Sequence, residues 1–79
     1  MISLARLRGR ILLILYTSQP ISIDETEEIY EDVFGEEIED EVIETLFFSL
    51  MKNGFIRMID DKNFILTKKG KKLIEKSVR

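Results

Sequence analysis

The 79-residue sequence contains no cysteine and no histidine. Without cysteine, the chain can form neither a disulfide nor a thiolate metal site, and it has no cysteine nucleophile. Without histidine, it lacks the usual zinc ligand and the usual general base near neutral pH. Only carboxylates, lysines and hydroxyls remain for chemistry. We therefore expect a protein that is not an enzyme, with no metal and no other cofactor.

Long apolar runs are also missing. The longest, residues 11–16, is far shorter than the ~18 residues that suggest a membrane span. A chain of this length buries roughly 60% of its unfolded surface and has little room for a deep active site. We predict a single cytoplasmic domain over residues 1–79, with no membrane partner and no small-molecule ligand. Abundant Glu, Lys and Ile give the chain a thermophile-like composition.

The charges are segregated along the chain. Residues 1–20 hold three arginines and no acid, residues 21–51 hold twelve acids and no base, and residues 52–79 hold nine bases and three acids. The net charge of −3 therefore conceals an acidic middle between two basic ends. Blocks of one sign create long-range fields that select partners by charge.

Helical spacing and capping signals predict two helices in the first half. The first covers residues 4–18, with Ser3 as N-cap and Pro20 beyond its end. It is apolar nearly all round, which indicates either a central helix or a dimer contact, and its Arg6 and Arg10 should face solvent. The second covers residues 23–33. Ser22 and Glu25 form a capping-box pattern ahead of it, and Ile29 and Val33 are expected in the core with Tyr30 or Thr26.

The longest stretch without glycine or proline, residues 36–53, predicts a third helix that ends at Gly54. A tight turn containing Gly35 joins it to the second helix, which indicates a helix-turn-helix. At about 100° per residue, its outward face should present Glu37, Glu41, Glu44, Thr45, Phe48 and Lys52. A helix that reads DNA in the major groove would present Arg, Lys, Asn or Gln there instead.

Extended segments follow the third helix. Residues 55–67 predict a hairpin that turns at Asp60-Asp61-Lys62, and residues 68–78 predict a short last helix. Thr67 is placed to cap that helix, and Gly70 would allow a close approach to the hairpin. Leu73, Ile74 and Val78 should pack back on the body.

The run Leu50-x-x-x-Gly54-Phe55-Ile56, followed by Phe64-x-Leu66-Thr67-x-x-Gly70-x-x-Leu73, resembles the winged-helix signature of MarR-like and PadR-like transcription regulators. The resemblance extends from about residue 11 to residue 74. It implies an α+β, mostly helical fold: a three-helix winged helix-turn-helix with a two-stranded wing and a short C-terminal helix. It also implies DNA contacts on the third helix, at positions that here hold Glu41, Glu44, Thr45 and Phe48. Those side chains do not match that role.

Two functions follow from the charge pattern. In the first, the acidic third helix docks a basic and partly apolar protein surface, with Phe48 as its anchor, in a transcription or replication assembly. That partner is another protein or a second copy of this chain. It stays open whether Phe48 points outward or tucks sideways against the body.

In the second, the protein is a small DNA-binding regulator that contacts the duplex backbone without sequence preference. The contacts would come from the N-terminal arginines and from the wing and the C-terminal tail. The wing and tail residues are Arg57, Lys62, Lys68, Lys69, Lys71 and Lys72.

Overall fold

The computed structural model describes residues 3–77, which form four helices and three short strands. In chain order these are α1 (Leu4–Ser18), β1 (Ile21–Ser22), α2 (Ile23–Phe34), α3 (Asp40–Lys52), β2 (Ile56–Met58), β3 (Asn63–Leu66) and α4 (Lys68–Ser77). The α+β, mostly helical class is confirmed. None of the helices within the described residues is long and apolar enough to cross a membrane.

Helix α1 is the centre of the molecule. It begins where the Ser3 hydroxyl accepts a hydrogen bond from the backbone N–H of Arg6, at 3.2 Å, and it has the predicted bounds. It packs against α2, α4 and β3. Its buried residues are Leu7, Ile11, Leu12, Ile14 and Leu15. Because α1 contacts elements on several sides, its nearly continuous apolar surface is explained largely by the core.

Helix α2 begins at the predicted capping box. Glu25 N–H donates to the Ser22 hydroxyl at 3.1 Å, and Ser22 N–H donates back to the Glu25 carboxylate at 3.3 Å. The expectation that Val33 is buried was wrong, since its side chain is 65% exposed. In the last turn it is Phe34 that packs on the body, with its ring centroid 4.9 Å from that of Tyr30.

Helix α3 begins four residues later than predicted, at Asp40. Residues 36–39 are not helical, although their composition suits a helix. The physical reason is a tertiary contact: the Glu36 carboxylate accepts a hydrogen bond from the Arg10 guanidinium at 2.7 Å. Local propensity is weak compared with such a contact. Glu37 consequently lies in the connection before α3 and not on its outward face.

The wing pairs β2 with β3 in antiparallel register, with Arg57 opposite Ile65. Strand β1, which was not among the predicted elements, pairs with the other edge of β3 and gives the order β1-β3-β2. The Gln19 side chain continues this edge by accepting the N–H of Leu66 at 2.7 Å. The segment before α2 therefore ties the wing to the helical body.

Two glycines are required where α3, the wing and α4 meet. Gly54 adopts a φ of 80°, which lets Phe55 N–H reach the Leu50 carbonyl at 2.9 Å and ends α3. Gly70 follows the Thr67 cap of α4, where Gly70 N–H donates to the Thr67 hydroxyl at 3.2 Å. A Cβ on Gly70 would overlap the Phe55 carbonyl oxygen.

The two predicted C-terminal core residues within the described range do pack on the body. Ile74 is buried, and Leu73 packs against the core at half burial. The third, Val78, lies outside the described residues.

Gly9 and Gly70 give a matched pair of stability predictions. Nothing lies within 4 Å of a Cβ built on Gly9, so Gly9→Ala should stabilise the protein by about 1 kcal/mol through helix propensity. Gly70→Ala should destabilise it by about 1–3 kcal/mol, because the added methyl meets backbone. Urea unfolding monitored by circular dichroism checks both. Equal effects of the two substitutions would contradict the packing described for Gly70.

Candidate functional site

The outward face of α3 is the most distinctive exposed surface. The helix buries Ile43, Leu46, Phe47 and Leu50 and, after the exposed Asp40 at its start, exposes Glu41, Glu44, Thr45, Phe48, Ser49 and Lys52. Five of the six predicted docking residues therefore share this face, and Glu37 does not. We call these exposed residues of α3 the α3 face.

Phe48 lies at the centre of the α3 face, with 63% of its surface exposed. The neighbouring Phe47 takes the core position instead, where its ring meets Phe64 edge-on at a centroid distance of 5.0 Å. This answers the question that the sequence left open, because Phe48 points outward. Burying a phenylalanine side chain is worth roughly 1.5–3 kcal/mol, so this ring is a strong potential anchor.

The charges of the α3 face change sign along the helix. Glu41 and Glu44 occupy its first two turns, and Lys52 lies in its last turn. The Thr45 hydroxyl donates to the Glu41 carbonyl at 2.7 Å, so its proton is already used within the helix. The first half of the face consequently presents acceptors only.

A cleft next to the α3 face was missed by the sequence analysis. It has a volume of about 550 Å³ and lies between the start of α2, the middle of α3 and the wing. It is lined by Ser22, Ile23, Asp24, Glu25, Glu44, Met58, Asp61, Lys62 and Phe64. We call it the wing cleft. These residues come from four separate segments, so no local pattern could have grouped them.

The basic side chains of the wing are balanced by acids. Arg57 and Lys62 are exposed, but Asp60 and Asp61 lie in the same hairpin. The Asp60 carboxylate accepts hydrogen bonds from the Asn63 side chain at 3.0 Å and from the backbone N–H groups of Lys62 and Asn63 at 2.9 and 2.8 Å. These hydrogen bonds hold the pKa of Asp60 below its ordinary value, and the bond from the Asn63 side chain has the largest effect. The wing thus has no net charge.

Helix α4 carries the remaining predicted phosphate contacts. Lys68, Lys71 and Lys72 are exposed along it. Lys69 already has a structural partner, since its ammonium donates to the Asn53 carbonyl at 2.9 Å and lies 4.9 Å from the centroid of the Phe55 ring. Helix α4 packs on α1, so these exposed lysines and the exposed Arg6 and Arg8 lie on neighbouring elements other than α3.

Arg10 does not face solvent freely as predicted. Its side chain is only 25% exposed and donates to the Tyr30 hydroxyl at 2.9 Å and to Glu36 at 2.7 Å. Its guanidinium carbon lies 4.3 Å from the centroid of the Phe34 ring. Hydrogen bonds to Tyr30 and then to Glu36 raise the pKa of Arg10 above its ordinary value. Arg6 and Arg8 remain exposed.

An acidic depression separates α2 from the start of α3. Its lining includes Glu27, Glu31, Glu37 and Asp40, and no basic residue. Burial raises the pKa of Glu27 above its ordinary value, and a hydrogen bond to Asp40 and repulsion from Asp40, Asp24 and Glu31 raise it further. Within the described part of the chain, no group of three or more acidic side chains is arranged to hold a metal ion.

The elements around α3 define a winged helix-turn-helix: helices α1 to α3, followed by a hairpin that joins a strand lying before α2. No protein-family model matches the chain, and no curated protein matches it significantly. A solved structure of RosR from H. salinarum is similar to it, with a TM-score of 0.80 and 17% sequence identity. The match covers 90% of this chain and 67% of that one. At this identity the likeness shows a shared fold, and the MarR-like or PadR-like resemblance stays a prediction.

The raised pKa of Glu27 predicts how stability varies with pH. The folded protein holds a proton on Glu27 more tightly than the unfolded chain does. The stabilisation from this proton is fully present below the ordinary glutamate pKa of about 4.3 and is lost as the pH rises through the raised value. Glu27→Gln should therefore raise the thermal midpoint most at about pH 7, and its advantage should shrink towards about pH 4.

Thermal unfolding at several pH values measures this effect, with Glu28→Gln as the control. Glu28 is exposed on the same helix and lies outside the depression. A constant difference between Glu27→Gln and the parent across this pH range would contradict the prediction.

Proposed function

We propose that this protein is a non-enzymatic winged-helix binding module, an accessory subunit or regulator of a transcription or replication assembly. Its α3 face docks a basic and partly apolar protein surface. The observation that carries the proposal is the exposure of Phe48 on a face whose first two turns hold Glu41 and Glu44.

The arrangement matches the physics of a protein interface. Interface hot spots are aromatic side chains that enter a pocket on the partner while a surrounding rim excludes water. Carboxylates in that rim would attract a basic partner and speed its approach. The exposed basic side chains of α4 in a second copy of this chain offer one surface of suitable charge, so self-association is one form of such docking.

Duplex DNA is a poor ligand for the same face. A duplex carries one negative charge per roughly 1.7 Å of its length, which Glu41 and Glu44 would repel. Sequence reading in the major groove also relies on donors such as Arg, Lys, Asn and Gln. The α3 face offers only Lys52 among these, in the last turn of the helix.

A DNA-binding function through another surface is the alternative. It is favoured by exposed Lys68, Lys71 and Lys72 on α4, which packs on the helix that carries Arg6 and Arg8. Such contacts would hold the phosphate backbone without reading sequence, so binding would be modest and strongly dependent on salt.

Phe48→Ala tests the docking proposal. We expect about a 30-fold loss of affinity for a fluorescent peptide of alternating Arg and Leu, because removing a hot-spot side chain typically costs ~2 kcal/mol or more. Ser49→Ala, next to it on the same face, is the matched control and should change little. Adding Glu41→Lys to Phe48→Ala should abolish binding.

Thermal unfolding accompanies these titrations. Because Phe48 and Glu41 are exposed, the variants should unfold at the parent's midpoint. A large fall in the midpoint, or unchanged peptide affinity in Phe48→Ala, would contradict docking through this face.

Anisotropy titrations with random-sequence duplex DNA test the alternative. The docking proposal expects no binding at about 50 mM salt. Micromolar binding that weakens steeply with salt and disappears in Lys68→Glu/Lys71→Glu/Lys72→Glu would favour the alternative. Lys69 is left unchanged because its ammonium has a structural role. Arg57→Glu/Lys62→Glu is the companion variant and separates the wing from the tail.

A further inference from the structure

The wing cleft has an apolar floor. Ile23 is half-buried, Phe64 is buried, and Met58, the last residue of β2, is 43% exposed. These side chains come from the start of α2 and from both strands of the hairpin. The exposed surface of Met58 and of Ile23 stays in contact with water unless a ligand covers it, so a ligand with an apolar portion would gain from entering.

Carboxylates from three elements surround that floor. Asp24 and Glu25 lie on α2, Glu44 lies on α3, and Asp61 lies at the wing turn. Glu25 is already held in the capping box. Within residues 3–77, the carboxylates of Asp24, Glu44 and Asp61 make no hydrogen bond and no ion pair. Three anionic acceptors are therefore available to a ligand.

The one basic side chain in the cleft lining does not neutralise these acids. Lys62 forms no ion pair with any described residue, and its hairpin has no net charge. A phosphate or a carboxylate ligand would meet four like charges and a single base. A cation with an apolar stem is the ligand chemistry that the cleft fits.

Arginine matches this arrangement better than lysine. A guanidinium presents five N–H donors in a rigid plane, which can bind carboxylates that approach from different directions. It is also more weakly hydrated than an ammonium, and this lowers the cost of moving it against Met58. The lysine ammonium is a compact, strongly hydrated charge.

The cleft is continuous with the α3 face because Glu44 belongs to both, one helical turn before Phe48. A partner segment that covers Phe48 would bring its neighbouring side chains to the cleft. We infer that the wing cleft receives an arginine side chain of the docked partner, with its stem on Met58 and Ile23 and its guanidinium among Asp24, Glu44 and Asp61. This inference rests on the proposed docking function.

Peptide titrations test the inference. The probes are fluorescent peptides of alternating Arg and Leu and of alternating Lys and Leu, measured at low salt. Glu44→Gln/Asp61→Asn should lower the affinity for the arginine peptide by about tenfold. It should also reduce the protein's preference for the arginine peptide over the lysine peptide. Glu28→Gln/Asp32→Asn is the matched control: it makes the same change in net charge on exposed residues outside the cleft and should have a much smaller effect.

The outcomes separate the inference from the function on which it rests. If Phe48→Ala weakens binding but Glu44→Gln/Asp61→Asn behaves like its control, the cleft proposal fails and α3 docking survives. The cleft proposal also fails if the arginine and lysine peptides bind equally. If neither peptide binds the parent protein, both proposals fail.

Lys62→Ala adds a test in which the sign of the effect is decisive. Removing a cation from the cleft should raise the affinity for the arginine peptide severalfold, because the repulsion between Lys62 and the guanidinium is removed. Weaker arginine-peptide binding in Lys62→Ala would overturn the inference.

Discussion

The contact on which the rest of the structure depends is made by Arg10. Its guanidinium joins α1 to the Tyr30 hydroxyl on α2 and to the Glu36 carboxylate in the connection that follows, and it lies against the Phe34 ring. The start of α3 has no side-chain cap at Glu39, so its position depends on how that connection is held. A planar group with several donors is suited to joining three segments at once, which a lysine would not do as well.

This contact leaves most of the acidic block unneutralised. Among the described residues, Arg10–Glu36 is the only ion pair, although residues 21–51 hold twelve acids. Burial raises the pKa of Glu27 first, a hydrogen bond to Asp40 raises it further, and repulsion from Asp40, Asp24 and Glu31 adds to the shift; this repulsion reflects the excess of acids. A basic partner would relieve part of the repulsion among these acids. That relief would add to the free energy of the proposed docking. This links the charge pattern of the sequence to the proposed function.

The protein carries its exposed acidic groups and its exposed basic groups on two separate surfaces. Acidic groups and exposed apolar side chains meet on the α3 face and in the wing cleft, whereas the exposed lysines lie on α4, which packs on the helix that carries Arg6 and Arg8. The wing itself has no net charge. A basic protein segment and a nucleic-acid backbone would therefore bind different parts of the protein, and substitutions on one surface leave the other intact.

The sequence alone determined the features that depend on neighbours in the chain. These include the bounds of α1, the capping box at Ser22 and the end of α3 at Gly54. The tertiary structure decided what depends on distant residues. Arg10 holds Glu36 and delays the start of α3, Phe34 packs on the body in the last turn of α2 where Val33 was expected, and β1 joins the wing. The wing cleft belongs to this second group, because only folding brings residues of α2, α3 and the hairpin together, and periodicity reports one element at a time.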